Sequence, residues 1–357
     1  MKKAEQCGAE LAERQGSLVE RTVAELYRRH PEMKARYGAA GRERCREDIA
    51  YHCLVLSESM NAADANIFLR YVAWGKSVLV NRNVRTDDLI DCLLIMKEVI
   101  AETVSEATEQ LAEEQIQLAL DSFESFADMP PSCIDPSSSL SNLANSYLEA
   151  LLSSDREQAR KVIQSGGRNG LGMVDIYRYV FQPVQREVGR LWQVNQISVA
   201  QEHYCTAATE MLMGEVSAGK LEAKHDGHFF VGACVAGEQH AIGIRMVTEV
   251  MEAQGWRTYL TGANTPTASL VEMVKRLNVD VLGVSCATAM HLPAVRQLIG
   301  AVRDSGQRTR VVLGGKMFNE FPDLWKKMGA DGFAEDAVSA VRVAGKLVGR
   351  ALSRMER

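Results

Sequence analysis

Glu238 and His240 stand two residues apart, directly after a run that reads as a buried strand and its exit, Val231-Gly-Ala-Cys-Val-Ala-Gly. A carboxylate at that spacing can accept a hydrogen bond from the imidazole nitrogen that faces away from a ligand. Such a bond fixes the tautomer of a metal-binding histidine and raises its basicity. Gly243, three residues on, lets a bulky group come close to the start of the next helix, expected over about 241–254. Alone, the pattern also fits a solvated loop. Two further stretches fall at corresponding places downstream, Ser285-Cys-Ala287-Thr288 and Gly314-Gly315. Small and hydroxyl residues there leave room for a planar ligand or an elongated tail. No Gly-x-Gly-x-x-Gly follows the first strand, which argues against a dinucleotide site.

The elements that must position these residues can be read from hydrophobic period. Residues 226–350 alternate apolar runs (about 229–235, 257–261, 279–285, 310–313 and 332–333) with helical patterns starting near Ala241, Thr267, Leu292, Phe318 and Asp336. That alternation predicts a doubly wound, flavodoxin-like domain with a parallel five-stranded sheet. Ligands of such sheets bind outside the carboxyl ends of the strands, where all three stretches fall. Residues 140–219 read as four helices of an up-down bundle. Pro183 should kink the third, and Ser198 with Gln201 forms a capping-box spacing at the start of the fourth. Residues 128–139 read as a linker, because the prolines and serines of the stretch 129–139 cannot continue a helix. Residues 1–127 read as all helix, with a compact bundle or a globin-like fold expected. Asp64 and Thr86-Asp87-Asp88 are candidate caps, and one long acid-rich helix is expected over 101–126.

The chain of 357 residues is enough for two or three domains, and a hydrophobic fraction of 46% with a charged fraction of 24% is ordinary for a globular protein. A net charge of −5 argues against a general nucleic-acid binder. The eight cysteines form no Cys-x-x-Cys pair, so neither a zinc site nor a disulfide framework is expected. No signal-peptide pattern and no membrane-spanning apolar run is seen, so a cytoplasmic location is expected.

The residues 226–350 resemble a cobalamin-binding domain. That family carries Asp- or Glu-x-His-x-x-Gly, then Ser-x-small, then Gly-Gly. Here these stand as Glu238/His240/Gly243, Ser285/Ala287 and Gly314/Gly315, in that order. The resemblance implies that His240 ligates cobalt from the lower face, and that the nucleotide tail of the cofactor passes Ser285, Thr288 and Gly314-Gly315. The preceding helices hold Trp192, nine residues, then Glu202-His203. This is similar to the signature of CarH-type light-sensing cobalamin proteins. It implies that Trp192 covers an adenosyl group, that Glu202 bonds its ribose and that His203 lines the same pocket. Gln193 stands where that family has a histidine, which leaves the upper cobalt ligand after light open. No amino-terminal DNA-binding module precedes the helices, so direct nucleic-acid binding is not expected. The helical residues 1–127 in that place resemble the sensor domain of photocobilins, which pair cobalamin with a bilin. His52, Cys45, Cys53, Tyr71 and Trp74, with Lys76, are candidates for a biliverdin pocket. A haem or no ligand are the alternatives, and plain core is another reading of each residue.

The leading expectation is a photoreceptor binding adenosylcobalamin, with biliverdin as a candidate second chromophore, in which light breaks the cobalt–carbon bond and alters domain and subunit contacts. A homo-oligomer with light-dependent assembly, a downstream protein partner, no membrane and no enzymatic active site go with it. Two alternatives stay open. One is a corrinoid methyl carrier of a methyltransferase system, where the motif usually begins with Asp and the upper face opens to a partner. The other is a cobalamin-dependent regulator without photochemistry.

Overall fold

The protein is described here from a computed structural model covering residues 2–218 and 225–350. Gly219, the expected last residue of the helical region, and the carboxyl-terminal residues 351–357 lie outside the described residues. The chain forms two compact units. The first comprises Met1–Pro130 with Gln193–Asn195, and the second Pro131–Trp192 with Gln196–Arg357.

The first unit is helical: α1 (Lys2–Arg29), α2 (Glu32–Asn61), α3 (Asn66–Val80), α4 (Thr86–Ala101) and α5 (Glu106–Asp121). Leu11, Leu18, Val23 and Leu26 of α1 are fully buried, and that stripe packs along α2, α4 and α5. The sequence misplaces several bounds. α2 begins ten residues before the expected Arg42, and Gly38 interrupts it at φ 64, a conformation open to glycine. The expected helix over 101–126 is broken: the chain turns at 102–105, α5 follows, and a 3₁₀ turn covers Phe123–Ser125. Asp64 accepts from the Asn66 N–H at 3.1 Å, while α4 has no side-chain cap. Asp88 instead accepts from Arg36 at 2.7 Å and from the Tyr37 hydroxyl at 2.5 Å.

The second unit opens with α6 (Ser141–Leu152), α7 (Arg156–Arg168), α8 (Met173–Ile176), α9 (Gln182–Gln193) and α10 (Val199–Ser217). Asp155 caps α7 by accepting from the Gln158 N–H at 2.8 Å. The capping box of Ser198 and Gln201 is formed. Between α8 and α9 the segment Tyr177–Phe181 is a π-helix. Pro183, next to it, has no N–H to give a regular helix, and the wider turn absorbs the mismatch.

The α/β part follows as β1 (Phe229–Cys234), α11 (Ile242–Ala253), β2 (Arg257–Gly262), α12 (Thr267–Leu277), β3 (Val281–Ser285), α13 (Leu292–Asp304), β4 (Arg310–Gly314), α14 (Lys316–Glu320), α15 (Leu324–Lys327), β5 (Gly332–Phe333) and α16 (Ala337–Leu347). The strands are all parallel in the order β2-β1-β3-β4-β5, the flavodoxin-like arrangement expected from the sequence. β1 and β3 are buried throughout, as covered parallel strands must be. Cys234 pairs with Ser285, and Ser285 pairs with Gly314. That register sets the exits of β1, β3 and β4 in one row, and so the three motif loops on one sheet edge. Tyr147 and Phe181 from the helical region share a continuous core with Phe230, Met251 and Trp256 of the sheet domain. The Tyr177 hydroxyl donates to the Glu249 carboxylate of α11, which Arg245 also holds at 2.8 Å. Among the described residues, no helix is long and apolar enough to cross a membrane.

Candidate functional site

The loop after β1 turns through Gly237, at φ +85, where a Cβ would lie 3.2 Å from the His291 ring. This turn drives Glu238 inward. Its side chain is completely buried at the sheet edge, while that of His240 is 66% exposed. An anion in such a place needs donors, and it has them. Oε1 accepts from the His240 backbone N–H at 2.9 Å and lies 2.5 Å from His240 Nδ1. Oε2 accepts from the Ala287 N–H at 2.7 Å and lies 3.2 Å from His291 Nδ1. Burial alone would raise the pKa of Glu238, but the bonds from His240, His291 and these backbone amides outweigh it and hold the carboxyl well below the usual range. The hydrogen bond to Glu238 shifts His240 upward, against a partial desolvation of the ring, and the more distant charge of Glu202 adds to the shift.

A proton held on Nδ1 toward Glu238 would leave Nε2 of the neutral, largely exposed His240 ring with a lone pair for a ligand. Gly243, in the first turn of α11, is exposed and has nothing within 4 Å of an added Cβ. Ser285 is buried at 7% exposure, against the Gly314-Gly315 turn. Gly315 adopts φ +95, and a Cβ on it would sit 2.5 Å from the Cys286 carbonyl oxygen and 2.9 Å from Ser285 Oγ. The turn thus needs glycine to seal the β3 and β4 exits together. Ala287 serves Glu238 through its backbone. Thr288 Oγ1 lies 3.1 Å from His291 Nδ1 and so belongs to the same network.

His291 is the residue that sequence reasoning missed. It stands 53 positions from Glu238 on a 3₁₀ turn before α13, and no spacing rule links the two. Its only signal was a histidine just beyond the Ser-x-small stretch.

The helical region supplies the other expected residues. Trp192 is half-buried and packs against the shared core. Glu202 accepts from Thr206 Oγ1 at 3.0 Å, and His203 Nε2 lies 3.5 Å from its other oxygen. The side chain of His203 is 74% exposed. Glu202 is the member of this set whose charge reaches His240. Gln193 groups with the first unit.

The remaining candidates lie in the first unit. His52 is buried and its Nδ1 lies 2.8 Å from the Tyr71 hydroxyl. Tyr71 and Trp74 have ring centroids 6.1 Å apart. Cys53 is buried with Sγ 3.9 Å from Met96 Sδ, and burial pushes its thiol up to about 12. Burial and the Asp48 carboxylate push the Cys45 thiol up to about 12 as well. Neither cysteine is activated as a nucleophile. Lys76, given as a possible pocket residue, instead donates to the Phe123 and Phe126 carbonyls at 3.1 and 3.0 Å.

One imidazole, oriented by a buried carboxylate, suits a metal that brings its remaining ligands with it. Residues 230–342 match the family described as B12 binding domain, and residues 143–216 match a second family of the same description. The carboxyl-terminal half therefore belongs with cobalamin-binding domains. Its cofactor class is a corrinoid. The chain is 30% identical over 146 residues to dimethylamine corrinoid protein 1 of Methanosarcina acetivorans, covering 40% of this chain and 66% of that protein. It is 28% identical over 168 residues to dimethylamine corrinoid protein 3 of Methanosarcina mazei, covering 46% of this chain and 96% of that protein. The chain thus spans about two thirds of the first relative's length. The fold is similar to that of the monomethylamine corrinoid protein of Methanosarcina barkeri, with a TM-score of 0.51 and 18% identity over 58% of this chain and all of that one. These comparisons lend no support to the light-sensing and biliverdin expectations.

Proposed function

We propose that residues 131–350 hold a corrinoid with His240 Nε2 on cobalt, and that the chain is a corrinoid carrier serving a partner protein. The observation that supports it most is the exposed His240 ring locked onto the buried Glu238 carboxylate. Ser285, Thr288 and the Gly314-Gly315 turn would flank the nucleotide tail. The methylamine-type corrinoid proteins among the relatives support a methyl group as cargo and a methyltransferase as partner. Glu238 and His291 keep the proton on Nδ1, so that Nε2 remains a ligand.

A second reading is carried by Trp192, Glu202 and His203. The Glu202 carboxylate, on α10, adds to the upward shift of His240, which supports a helical residue near that site, as an adenosyl-binding cap would require. That reading makes the protein a light-responsive adenosylcobalamin sensor whose subunit contacts change on illumination, with the His52–Tyr71–Trp74 group as its biliverdin pocket. Bound at His240, the cofactor would supply a cobalt–carbon bond, transferred in the first reading and opened by light in the second.

The test is a spectroscopic titration of the purified protein with methylcobalamin and with adenosylcobalamin, each followed by size-exclusion chromatography before and after green light. The carrier reading expects methylcobalamin to bind at least as tightly as adenosylcobalamin and elution to ignore light. Preference for adenosylcobalamin that Trp192→Ala removes, with light-dependent elution, selects the sensor. Absence of any corrinoid binding overturns both.

A further inference from the structure

The loop that carries Glu238 and His240 is held from outside by a residue of the neighbouring connection. β2 has one extra residue, Thr261, between its pairings of Leu260 with Gly232 and of Gly262 with Ala233. Such a bulge re-aims the end of a strand, and Gly262, at φ +78, turns the chain further. Asn264 then lies against the exit of β1. Its backbone N–H donates to the Glu238 carbonyl at 2.8 Å, and its Oδ1 accepts from the Gly237 N–H at 2.7 Å. The next residue, Thr265, donates its N–H to the Cys234 carbonyl at 3.2 Å. Pro266 follows at φ −61 and opens α12, so the connection is tied to regular elements at both ends.

The two bonds of Asn264 thus span the Gly237–Glu238 segment, one at each end. Within the loop itself, the Glu238 N–H closes a turn on the Val235 carbonyl at 3.1 Å. Gly237, at φ +85, has wide conformational freedom of its own. An outside contact is therefore needed to fix the direction in which the Glu238 side chain leaves the backbone. That direction decides whether the carboxylate meets His240 Nδ1 and the Ala287 N–H together. Asn264 stands at φ +49, a left-handed conformation that asparagine adopts more readily than most residues. Glycine would supply the conformation without the acceptor, and aspartate would set a second anion beside Glu238. We propose that Asn264 is a positioning residue for the cobalt ligand: it clasps the Gly237–Glu238 backbone and so sets the carboxylate that orients His240. This rests on the corrinoid reading of the His240 site and adds to it a residue from outside the Glu-x-His loop.

Asn264→Gly keeps the backbone N–H and tolerates the left-handed φ, and it removes the Oδ1 acceptor. Hydroxocobalamin binding is titrated by absorption across a double-mutant cycle of wild type, Asn264→Gly, His240→Ala and the double variant. Asn264→Gly is expected to weaken binding about three- to tenfold in the wild-type background, the range of one lost hydrogen bond. In the His240→Ala background the same change should leave affinity within about twofold, because a residue that acts through His240 has nothing left to orient. A general loss of structure, or a lost contact to another part of the cofactor, would weaken both backgrounds alike, and equal losses overturn the proposal. So does an affinity of Asn264→Gly within about twofold of the wild type. Either result leaves the His240 reading standing, whereas a His240→Ala protein that binds as tightly as the wild type overturns both.

Discussion

Glu238→Gln replaces a group that accepts on both oxygens with one that has a single oxygen and an NH2. The carboxylate accepts from the backbone N–H of His240 at 2.9 Å and from that of Ala287 at 2.7 Å, on opposite oxygens. Whichever way the glutamine amide lies, its NH2 faces one of these donors. One backbone N–H loses its acceptor at a position with no water access, which costs about 1–3 kcal/mol. The charge-assisted character of the His240 and His291 contacts goes with it, so the total is about 2–4 kcal/mol of stability. If the NH2 faces His240, Nδ1 must turn acceptor and the ring proton moves to Nε2, which blocks the metal position. Corrinoid affinity should then fall about 10–100-fold, as for other partners of metal-binding histidines. Urea unfolding of the cofactor-free protein measures the first quantity, and absorption titration with hydroxocobalamin measures the second. A midpoint and an affinity both equal to wild type would refute the role given to Glu238.

Three shorter predictions follow from the same structure. Burial holds the His52 imidazole at about 4 against its ordinary 6.5; the unfolded chain takes up a proton that the folded one refuses between those values. Stability from this group is therefore complete above pH 6.5 and lost as pH falls toward 4, by about 3 kcal/mol at most, and His52→Leu should flatten that slope in pH-dependent melting. Gly315→Ala forces a side chain into φ +95 and against the Cys286 carbonyl. It should cost at least about 1–3 kcal/mol in thermal unfolding, and an unchanged melting temperature would show that the turn relaxes freely. Tyr177→Phe removes the hydroxyl that joins the helical region to Glu249 of α11. A loss of about 1–2 kcal/mol is expected by denaturant unfolding, and no loss would mean that Arg245 alone satisfies the buried carboxylate.

The α/β half was readable because its signals are local. Apolar runs such as Phe229–Cys234 alternate with helical patterns, and the five-strand count suits the sheet order that the structure adopts. The Glu238–His240 contact follows from two residues of sequence separation. What escaped was either non-local or backbone-specific. The His291 contact crosses from one strand exit to another, and only the sheet register brings it to Glu238. Pro183 announced an irregular helix, but not that the segment before it would be a π-helix. The break at 102–105 escaped because Glu, Thr and Ser tolerate both helix and turn. The kink at Gly38 escaped because a single glycine inside a helical pattern does not fix where the backbone departs. In the first unit, His52 and Tyr71 lie on adjacent helices, and the sequence marked both as candidates for one pocket without showing their hydrogen bond.

The central claim is that His240 binds cobalt. Electron paramagnetic resonance of the protein loaded with cob(II)alamin tests it directly, comparing natural-abundance protein with protein grown on ¹⁵N-histidine. The account predicts that the axial-nitrogen splitting changes from a triplet to a doublet on labelling, and that His240→Ala abolishes the change. A triplet that survives labelling would mean that the cofactor keeps its own base on cobalt, and would contradict the claim.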